Sequence, residues 1–182
     1  MNTETISLVR IDPVIDREEL IAFLTGNEWP YHMAPIVSRQ QVEEALDSGA
    51  FQNEERDSYW IEYSEHGRIG YIRFEDLCDD TPVFDLRLAS QWQGRGFGVD
   101  VLNAATSWIF EQKPRIRRFE GQTRDDNLAM RHTFLKAGWV MEAYYRQGWP
   151  VDGAEPRASV AYAILRSDWE TNTTTPVPWE EL

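Results

Sequence analysis

Cysteine is almost absent from this chain, since Cys78 is the only one among 182 residues. A single thiol cannot form an internal disulfide, and it cannot supply the thiolate cluster of a structural zinc site. No neighbouring residue marks Cys78 as a nucleophile, so we interpret it as an ordinary interior or loop thiol. The fold must therefore rest on its core, and a chain of this length that is 42% hydrophobic can bury one.

Basic residues and long apolar runs are also scarce. The chain has 18 Lys and Arg residues against 31 Asp and Glu residues, a formal net charge of −13. This excess of acid argues against a nucleic-acid partner and mildly favours a cationic one, such as an amine. The N-terminal region carries acids throughout and lacks an apolar run long enough for a signal peptide or a membrane span. We therefore expect a cytoplasmic protein with no membrane partner and no bound metal.

Glycine, in contrast, is concentrated in one informative turn. The strand-like run Val83–Leu88 enters a segment that holds Gly94, Gly96 and Gly98, and the amphipathic run Val99–Lys113 follows at once. Glycines let backbone N–H groups approach a ligand closely, and the N-terminus of the following helix adds a partial positive charge. This order of strand, turn and helix predicts a seat for a phosphate-bearing cofactor.

Two common phosphate loops do not fit this turn. A nucleotide-triphosphate loop ends in Gly-Lys-Ser/Thr, and the residues Gly96-Phe97-Gly98 supply neither the lysine nor the hydroxyl. The dinucleotide motif has the spacing G-x-G-x-x-G, whereas the glycines here follow G-x-G-x-G. A glycine-rich hairpin that binds nothing is the remaining alternative.

Two motifs together resemble one known family. The pattern Gln93-x-x-Gly96-x-Gly98 resembles the Q/R-x-x-G-x-G/A loop of the GNAT superfamily of acyl-CoA N-acyltransferases, in which backbone amides hold the pyrophosphate of coenzyme A. Residues 127–139 resemble its second signature, in which an asparagine opens a helix that ends at a glycine, here Gly138. The helix would be capped by Asp125 or Asp126. The likeness covers residues 81–145 and is nearest to the branch acting on protein N-termini and small amines.

The order of predicted elements agrees with the α/β (α+β) class and the GNAT fold. That fold has a mixed central sheet of about seven strands flanked by about four helices, and its splayed strands form a cleft for acyl-CoA. We expect residues 1–170 to form a single domain and residues 171–182 an extended tail. The strands are predicted at 6–11, 58–63, 68–74, 83–88, 116–123, 139–146 and 158–166, and the helices at 14–24, 38–46, 99–113 and from Asn127 onward.

The resemblance implies acetyl-CoA as acyl donor and assigns residues to it. The loop amides would hold the pyrophosphate, the backbone of Leu86 and Leu88 would pair with the pantetheine arm, and the Leu88 N–H would polarise the thioester carbonyl. Asn127 would reach toward the pantetheine, and Arg131 would contact a phosphate or lie on the surface. The residues expected to bind the cofactor are Leu86, Leu88, Gln93, Gly94, Arg95, Gly96, Phe97, Gly98, Asn127 and Arg131.

Acyl transfer to an amine also requires a base. A primary alkylamine has a pKa of about 10.4, so only about one molecule in a few thousand is neutral at pH 7. Asp85, on the strand entering the loop, and Glu120, on the strand before the second signature, are the catalytic candidates. One GNAT subgroup has a glutamate five residues before the asparagine, where this chain has Gln122, and Glu120 lies two residues earlier on the same strand face. The alternative for each carboxylate is an exposed residue without a catalytic role.

One position departs from the family pattern. Many GNAT enzymes have a tyrosine seven residues after the asparagine to protonate the leaving thiolate, and this chain has Phe134. The role would pass to Tyr144, Tyr145, Tyr162 or water. This departure keeps a second hypothesis open, a catalytically impaired CoA-binding sensor or partner module.

Residues between the first two helices are the candidates for the acceptor site. Trp29, Tyr31 and His32 fall where GNAT proteins form one wall of that site, and an aromatic cluster can cage a cationic or flat acceptor. Core packing with one satisfied histidine is the alternative. The leading hypothesis is an acetyl-CoA-dependent N-acetyltransferase that acts on a small amine, an amino sugar or a peptide N-terminus, with a homodimer left open.

Overall fold

The computed structural model describes residues 5–64 and 66–179. The predicted turn residue Glu65 and the end of the predicted tail, residues 180–182, lie outside the described residues. Within them the chain forms seven β-strands, five α-helices and one short 3-10 turn. The predicted strand number and the α+β class are confirmed, and the strands divide into a four-stranded and a three-stranded sheet.

The chain forms two compact units. One comprises the N-terminal part up to Cys78 together with Phe84–Phe97, and the other comprises Asp79–Val83 and the chain from Gly98 onward. Cys78 is exposed and lies in the turn after the third strand, in agreement with the loop interpretation.

The first unit contains a sheet of order β1-β2-β3-β4 with two helices. Strands β1 and β2 pair antiparallel, as do β2 and β3. A cluster of aliphatic and aromatic side chains from both helices and the sheet, including Leu20, Trp29 and Trp60, forms the core. The elements are β1 (Ile6–Arg10), α1 (Arg17–Thr25), α2 (Arg39–Asp47), β2 (Asp57–Tyr63), β3 (Gly67–Glu75) and β4 (Val83–Leu88), followed by the 3-10 turn Ser90–Trp92.

Helix α1 begins three residues later than the sequence predicts. The Asp12 carboxylate accepts hydrogen bonds from the backbone N–H groups of Val14 and Ile15, which fixes a turn there instead of a helix. Val14 and Ile15 are both more than 80% exposed, so the predicted helix extends too far toward the N-terminus. Helix α2 begins as predicted, because Ser38 and Gln41 form a reciprocal capping box.

The second unit contains a three-stranded antiparallel sheet of order β5-β7-β6. The central strand β7 is buried over most of its length. Helix α5 was not predicted; its buried Asp168 accepts hydrogen bonds from the backbone N–H and the hydroxyl of Thr175, so the described part of the tail is tied to this helix. The elements are α3 (Phe97–Gln112), β5 (Arg118–Arg124), α4 (Leu128–Lys136), β6 (Val140–Trp149), β7 (Arg157–Leu165) and α5 (Arg166–Thr171).

The described residues lack both a membrane-spanning helix and a cluster of metal-binding side chains. None of the helices there combines the length and the apolar character needed to cross a bilayer. In the same part of the chain, no group of three or more His, Cys, Asp or Glu side chains could hold a metal ion.

Candidate functional site

The glycine-rich loop has the backbone geometry that its sequence predicts. Gly94 and Gly96 adopt φ values of 71° and 94°, a region in which a side chain is strained. Gly94, Arg95 and Gly96 are exposed, and no acidic residue occurs between Asp85 and Asp100. The loop can therefore accept an anion without electrostatic opposition from its own side chains.

Gly98 lies where two helices of the second unit approach closely. A Cβ atom built on this residue would lie 3.0 Å from Thr133 Oγ1 and 3.2 Å from Thr133 Cγ2. Helix α3 thus packs its first turn tightly against α4, and a side chain at this position would have to displace Thr133.

Aromatic side chains of the first unit brace the entrance to the loop. Trp92 and Phe97 lie on either side of it, with ring centroids 5.5 Å apart, and both contact Tyr63. The Arg95 guanidinium covers the Trp92 ring at 5.3 Å. The Gln93 side chain donates a hydrogen bond of 2.8 Å to the backbone carbonyl of Leu88, the last residue of β4.

Asp85 is the centre of a polar cluster in the first unit. Its carboxylate accepts hydrogen bonds from the Tyr71 hydroxyl at 2.8 Å, from Arg87 at 3.1–3.2 Å and from His32 Nε2 at 3.1 Å. Arg73 lies 3.8 Å from the same carboxylate. Arg87, Tyr71 and Arg73 are not among the residues predicted from the sequence, although Arg87 follows Asp85 by two residues on one strand and therefore lies on the same face.

These contacts keep Asp85 ionised. Burial by itself would raise the pKa of this carboxyl group, but the hydrogen bond from His32 and the positive charges of Arg87 and Arg73 hold the pKa far below its ordinary value. Burial and the Asp85 charge raise the pKa of Tyr71, so that hydroxyl stays protonated and donates. A carboxylate held in this way is a poor acceptor for a further proton.

His32 connects the predicted acceptor segment with this cluster. Its Nε2 atom contacts Asp85, whereas its Nδ1 atom is buried without a hydrogen-bonding partner in the described part of the chain. Trp29 packs edge-on against the imidazole at a centroid distance of 6.1 Å. The structure thus brings together two residues, Asp85 and His32, to which the sequence assigned separate roles.

The other two residues of the acceptor segment differ in burial. Trp29 is 1% exposed and its indole N–H donates to the carbonyl of Leu24, so this side chain packs in the core of the first unit. Tyr31 is 38% exposed. Trp29 therefore supports His32 from behind, and Tyr31 retains surface available to a ligand.

The second predicted carboxylate, Glu120, belongs to an ion-pair network of the second unit. It lies 2.6 Å from Arg118, which also contacts Glu142 at 2.6 Å. Gln122 donates a hydrogen bond of 2.8 Å to Glu120. Gln122, at the position where one GNAT subgroup has a glutamate, therefore holds the Glu120 side chain by a hydrogen bond.

Asn127 caps helix α4, which corrects the sequence prediction of Asp125 or Asp126. Its side-chain oxygen accepts from the Met130 backbone N–H at 3.2 Å, and its Nδ2 donates to Thr123 at 3.0 Å. The two aspartates instead pair with arginines: Asp125 with Arg157 and Asp126 with Arg124.

Arg131 and the tyrosine candidates also lie in the second unit. Arg131 donates to the Tyr162 hydroxyl at 3.2 Å and to the carbonyl of Asp125 at 2.8 Å. Phe134 is fully buried and stacks on the Tyr162 ring at 4.7 Å. Tyr144 and Tyr145 are about half exposed. Tyr162 therefore lies directly against Phe134, the position at which many GNAT enzymes have a tyrosine.

A cavity of about 390 Å³ occurs elsewhere in the second unit. Polar side chains such as Asn103, Ser107 and Asp168 line it together with Trp169. None of the residues predicted to bind cofactor or acceptor, or to act in catalysis, belongs to its lining.

Comparison with models of protein families shows the family to which the chain belongs. A model of the acetyltransferase (GNAT) domain matches residues 6–140, which include the glycine-rich loop and the Asn127 helix. The chain belongs to the GNAT acetyltransferase family. A comparison of this GNAT chain with curated protein sequences found no match.

Solved structures with a similar fold include spermidine N-acetyltransferases from Vibrio cholerae. A complex with CoA and spermine has a TM-score of 0.75 and 16% identity, and the alignment covers 91% of this GNAT chain and 98% of the other. A dodecameric form gives 0.73 and 16%, with 92% and 98% covered. A chimera of the same enzyme gives 0.77 and 17%, with 91% and 98% covered. At this identity the likeness concerns the fold.

Proposed function

We propose that this chain is an N-acetyltransferase that moves the acetyl group of acetyl-CoA to a primary amine by direct attack on the thioester. The observation that carries the proposal is the GNAT match over residues 6–140, which contains a loop with positive φ at Gly94 and Gly96. The backbone cradle fits a pyrophosphate, because it is exposed, free of acidic side chains and followed by a helix N-terminus.

The proposed cofactor residues are those that the family resemblance assigns. The amides of the segment Gln93–Gly98 would bind the pyrophosphate, with Arg95 and Arg131 as candidate cationic contacts. The backbone of Leu86 and Leu88 would orient the pantetheine arm, and the Leu88 N–H would polarise the carbonyl. A fixed N–H donor at the developing oxyanion lowers the barrier because it needs no reorganisation during the reaction. Asn127 caps α4 and would reach toward the pantetheine.

The acceptor is proposed to be a small amine or a peptide N-terminus. The structural neighbours include an enzyme solved with spermine, which supports an amine acceptor at the level of class. Tyr31 and His32 are the proposed contacts for it, with Trp29 as their support. The homodimer stays a prediction.

A specific observation favours the second candidate, a CoA-binding module without catalysis. Both predicted catalytic carboxylates, Asp85 and Glu120, are held in ion pairs, and Phe134 cannot donate a proton. Such a module would bind CoA and release no thiol from acetyl-CoA.

Thiol release from acetyl-CoA distinguishes the two candidates. The purified chain is incubated with acetyl-CoA and one acceptor per sample. The acceptors are spermidine, an alkylamine, an amino sugar and a short peptide with a free N-terminus. Gly96→Trp should abolish release and CoA binding because the side chain fills the cradle. Gly153→Trp is the matched control, since Gly153 is also exposed with a positive φ but lies in the loop between β6 and β7. Equal CoA binding by both variants would contradict the assignment of the loop.

A further inference from the structure

We infer that His32 is the general base of the proposed acetyl transfer and that Asp85 is the positioning residue that holds its imidazole. The inference rests on the proposed function, and it assigns the proton-accepting atom to Nδ1 of His32. It replaces the interpretation in which Asp85 itself takes the proton.

The contact between His32 and Asp85 fixes which imidazole nitrogen is basic. The Asp85 carboxylate can only accept, so the Nε2 atom that lies 3.1 Å from it must carry a hydrogen. In the neutral imidazole the other nitrogen, Nδ1, then holds the lone pair. The tautomer that Asp85 selects is therefore one that presents a proton acceptor at Nδ1.

That acceptor is unused within the chain. His32 Nδ1 is buried and has no hydrogen-bonding partner among the described residues, although the side chain as a whole is 28% exposed. Buried polar atoms without partners are rare, and each calls for a cause, such as a catalytic role. An amine N–H, delivered directly or through one water molecule, would satisfy this atom.

The groups around the pair favour this division of roles. Arg87 and Arg73 place positive charge beside Asp85, and the Tyr71 hydroxyl donates to it from β3. Arg87 and Tyr71 donate hydrogen bonds to the carboxylate and the Arg73 charge lies 3.8 Å from it, so Asp85 stays ionised and serves as a fixed anion. Trp29 packs against the imidazole edge and restricts its rotation.

In the proposed step a neutral amine reacts with the acetyl thioester. The amine nitrogen forms a bond to the thioester carbonyl carbon, and one N–H proton passes to His32 Nδ1. The C–S bond breaks and its electron pair leaves on sulfur. The imidazolium returns the proton to solvent, and the thiolate takes one up from solvent. The products are the acetylamide and the free thiol, and no oxidant or reductant is needed.

The pH dependence of turnover tests the role of His32. An imidazole must be neutral before it can accept a proton, so kcat of the wild type should fall as the pH is lowered. His32→Gln should reduce kcat by about 10²–10⁴-fold, the usual effect of a general base, leave KM for acetyl-CoA within about twofold and remove this limb of the profile. His132→Gln, at an exposed position of α4, is the control and should match the wild type.

The Asp85→Asn variant tests the positioning role. The new amide would donate to Nε2, which moves the imidazole hydrogen to Nδ1 and removes the acceptor. This variant should lose about as much kcat as His32→Gln, and the double variant should lose no more than either one. Additive losses would show that the two side chains act independently and would overturn the inference.

Chemical rescue separates catalysis from structure. In His32→Ala, added imidazole should restore part of the turnover, and the restoration should increase with pH as more imidazole becomes neutral. A CoA-induced rise in melting temperature shows that each variant is folded. Wild-type kcat and pH profile in His32→Gln, or no rescue in a folded His32→Ala, would overturn the inference. Absence of thiol release by the wild type with every amine would refute the proposed function itself.

Discussion

The Asp85 side chain is the centre of a hydrogen-bonded, charged cluster in the first unit. It contacts His32 from the loop after α1, Tyr71 from β3 and Arg87 from its own strand. The sequence singles out Asp85 because a carboxylate among Phe84, Leu86 and Leu88 needs a partner. It could not name His32 as that partner, because the two residues are 53 positions apart and only the packing of the loop against the sheet joins them.

The lowered pKa of Asp85 predicts a pH effect on stability. A carboxyl group with a lower pKa in the folded state stabilises the fold above its unfolded pKa, about 3.9, and this contribution is lost as the pH falls toward the folded pKa. Asp85→Asn should therefore be less stable than the wild type at pH 7, and the difference should shrink below about pH 4. Urea unfolding at several pH values measures it. A difference that grows as the pH falls would contradict the assigned direction.

Elements were predicted best where local chemistry determines them. Ser38 at the start of α2 and the glycine at the end of α4 mark helix boundaries in the sequence as they do in the structure. Failures occurred where a local pattern competed with a specific contact: Asp12 stops α1 from starting at Val14, and Asn127 takes the cap from the two aspartates before it. The short helix α5 is too short for a pattern of apolar residues to predict it.

The contact between α3 and α4 predicts a coupled pair of substitutions. Gly98→Leu should destabilise the second unit by about 1–3 kcal/mol, the usual cost of overpacking, because the side chain meets Thr133. The cost should fall by at least about 0.5 kcal/mol in a Thr133→Ala background, as expected for residues in contact. Denaturant melts of the four proteins in this double-mutant cycle measure the coupling. Additive costs would show that Thr133 does not limit this position.

At the scale of the whole molecule, sequence motifs identified the family and the order of its elements. The two signatures lie within the matched range, residues 6–140, and the seven strands follow in the predicted order. The division of those strands into two sheets, and the partners of each site residue, depend on contacts between distant parts of the chain. Such contacts leave no local pattern in one sequence. The hydrogen-bonding partners of the site residues are therefore visible only in the structure, whereas the glycine-rich loop already suggested the cofactor in the sequence.

Thermal unfolding of the intact chain with acetyl-CoA tests the central claim most directly, because it needs no knowledge of the acceptor. At a ligand concentration of about 100 times Kd, binding to the native state alone adds about 2.7 kcal/mol. For a chain of this size that corresponds to a rise in Tm of about 5–11 °C. The account predicts this rise with acetyl-CoA and with CoA, and none with NAD or ATP. An unchanged Tm with both CoA compounds would contradict the enzyme and the CoA-binding module alike.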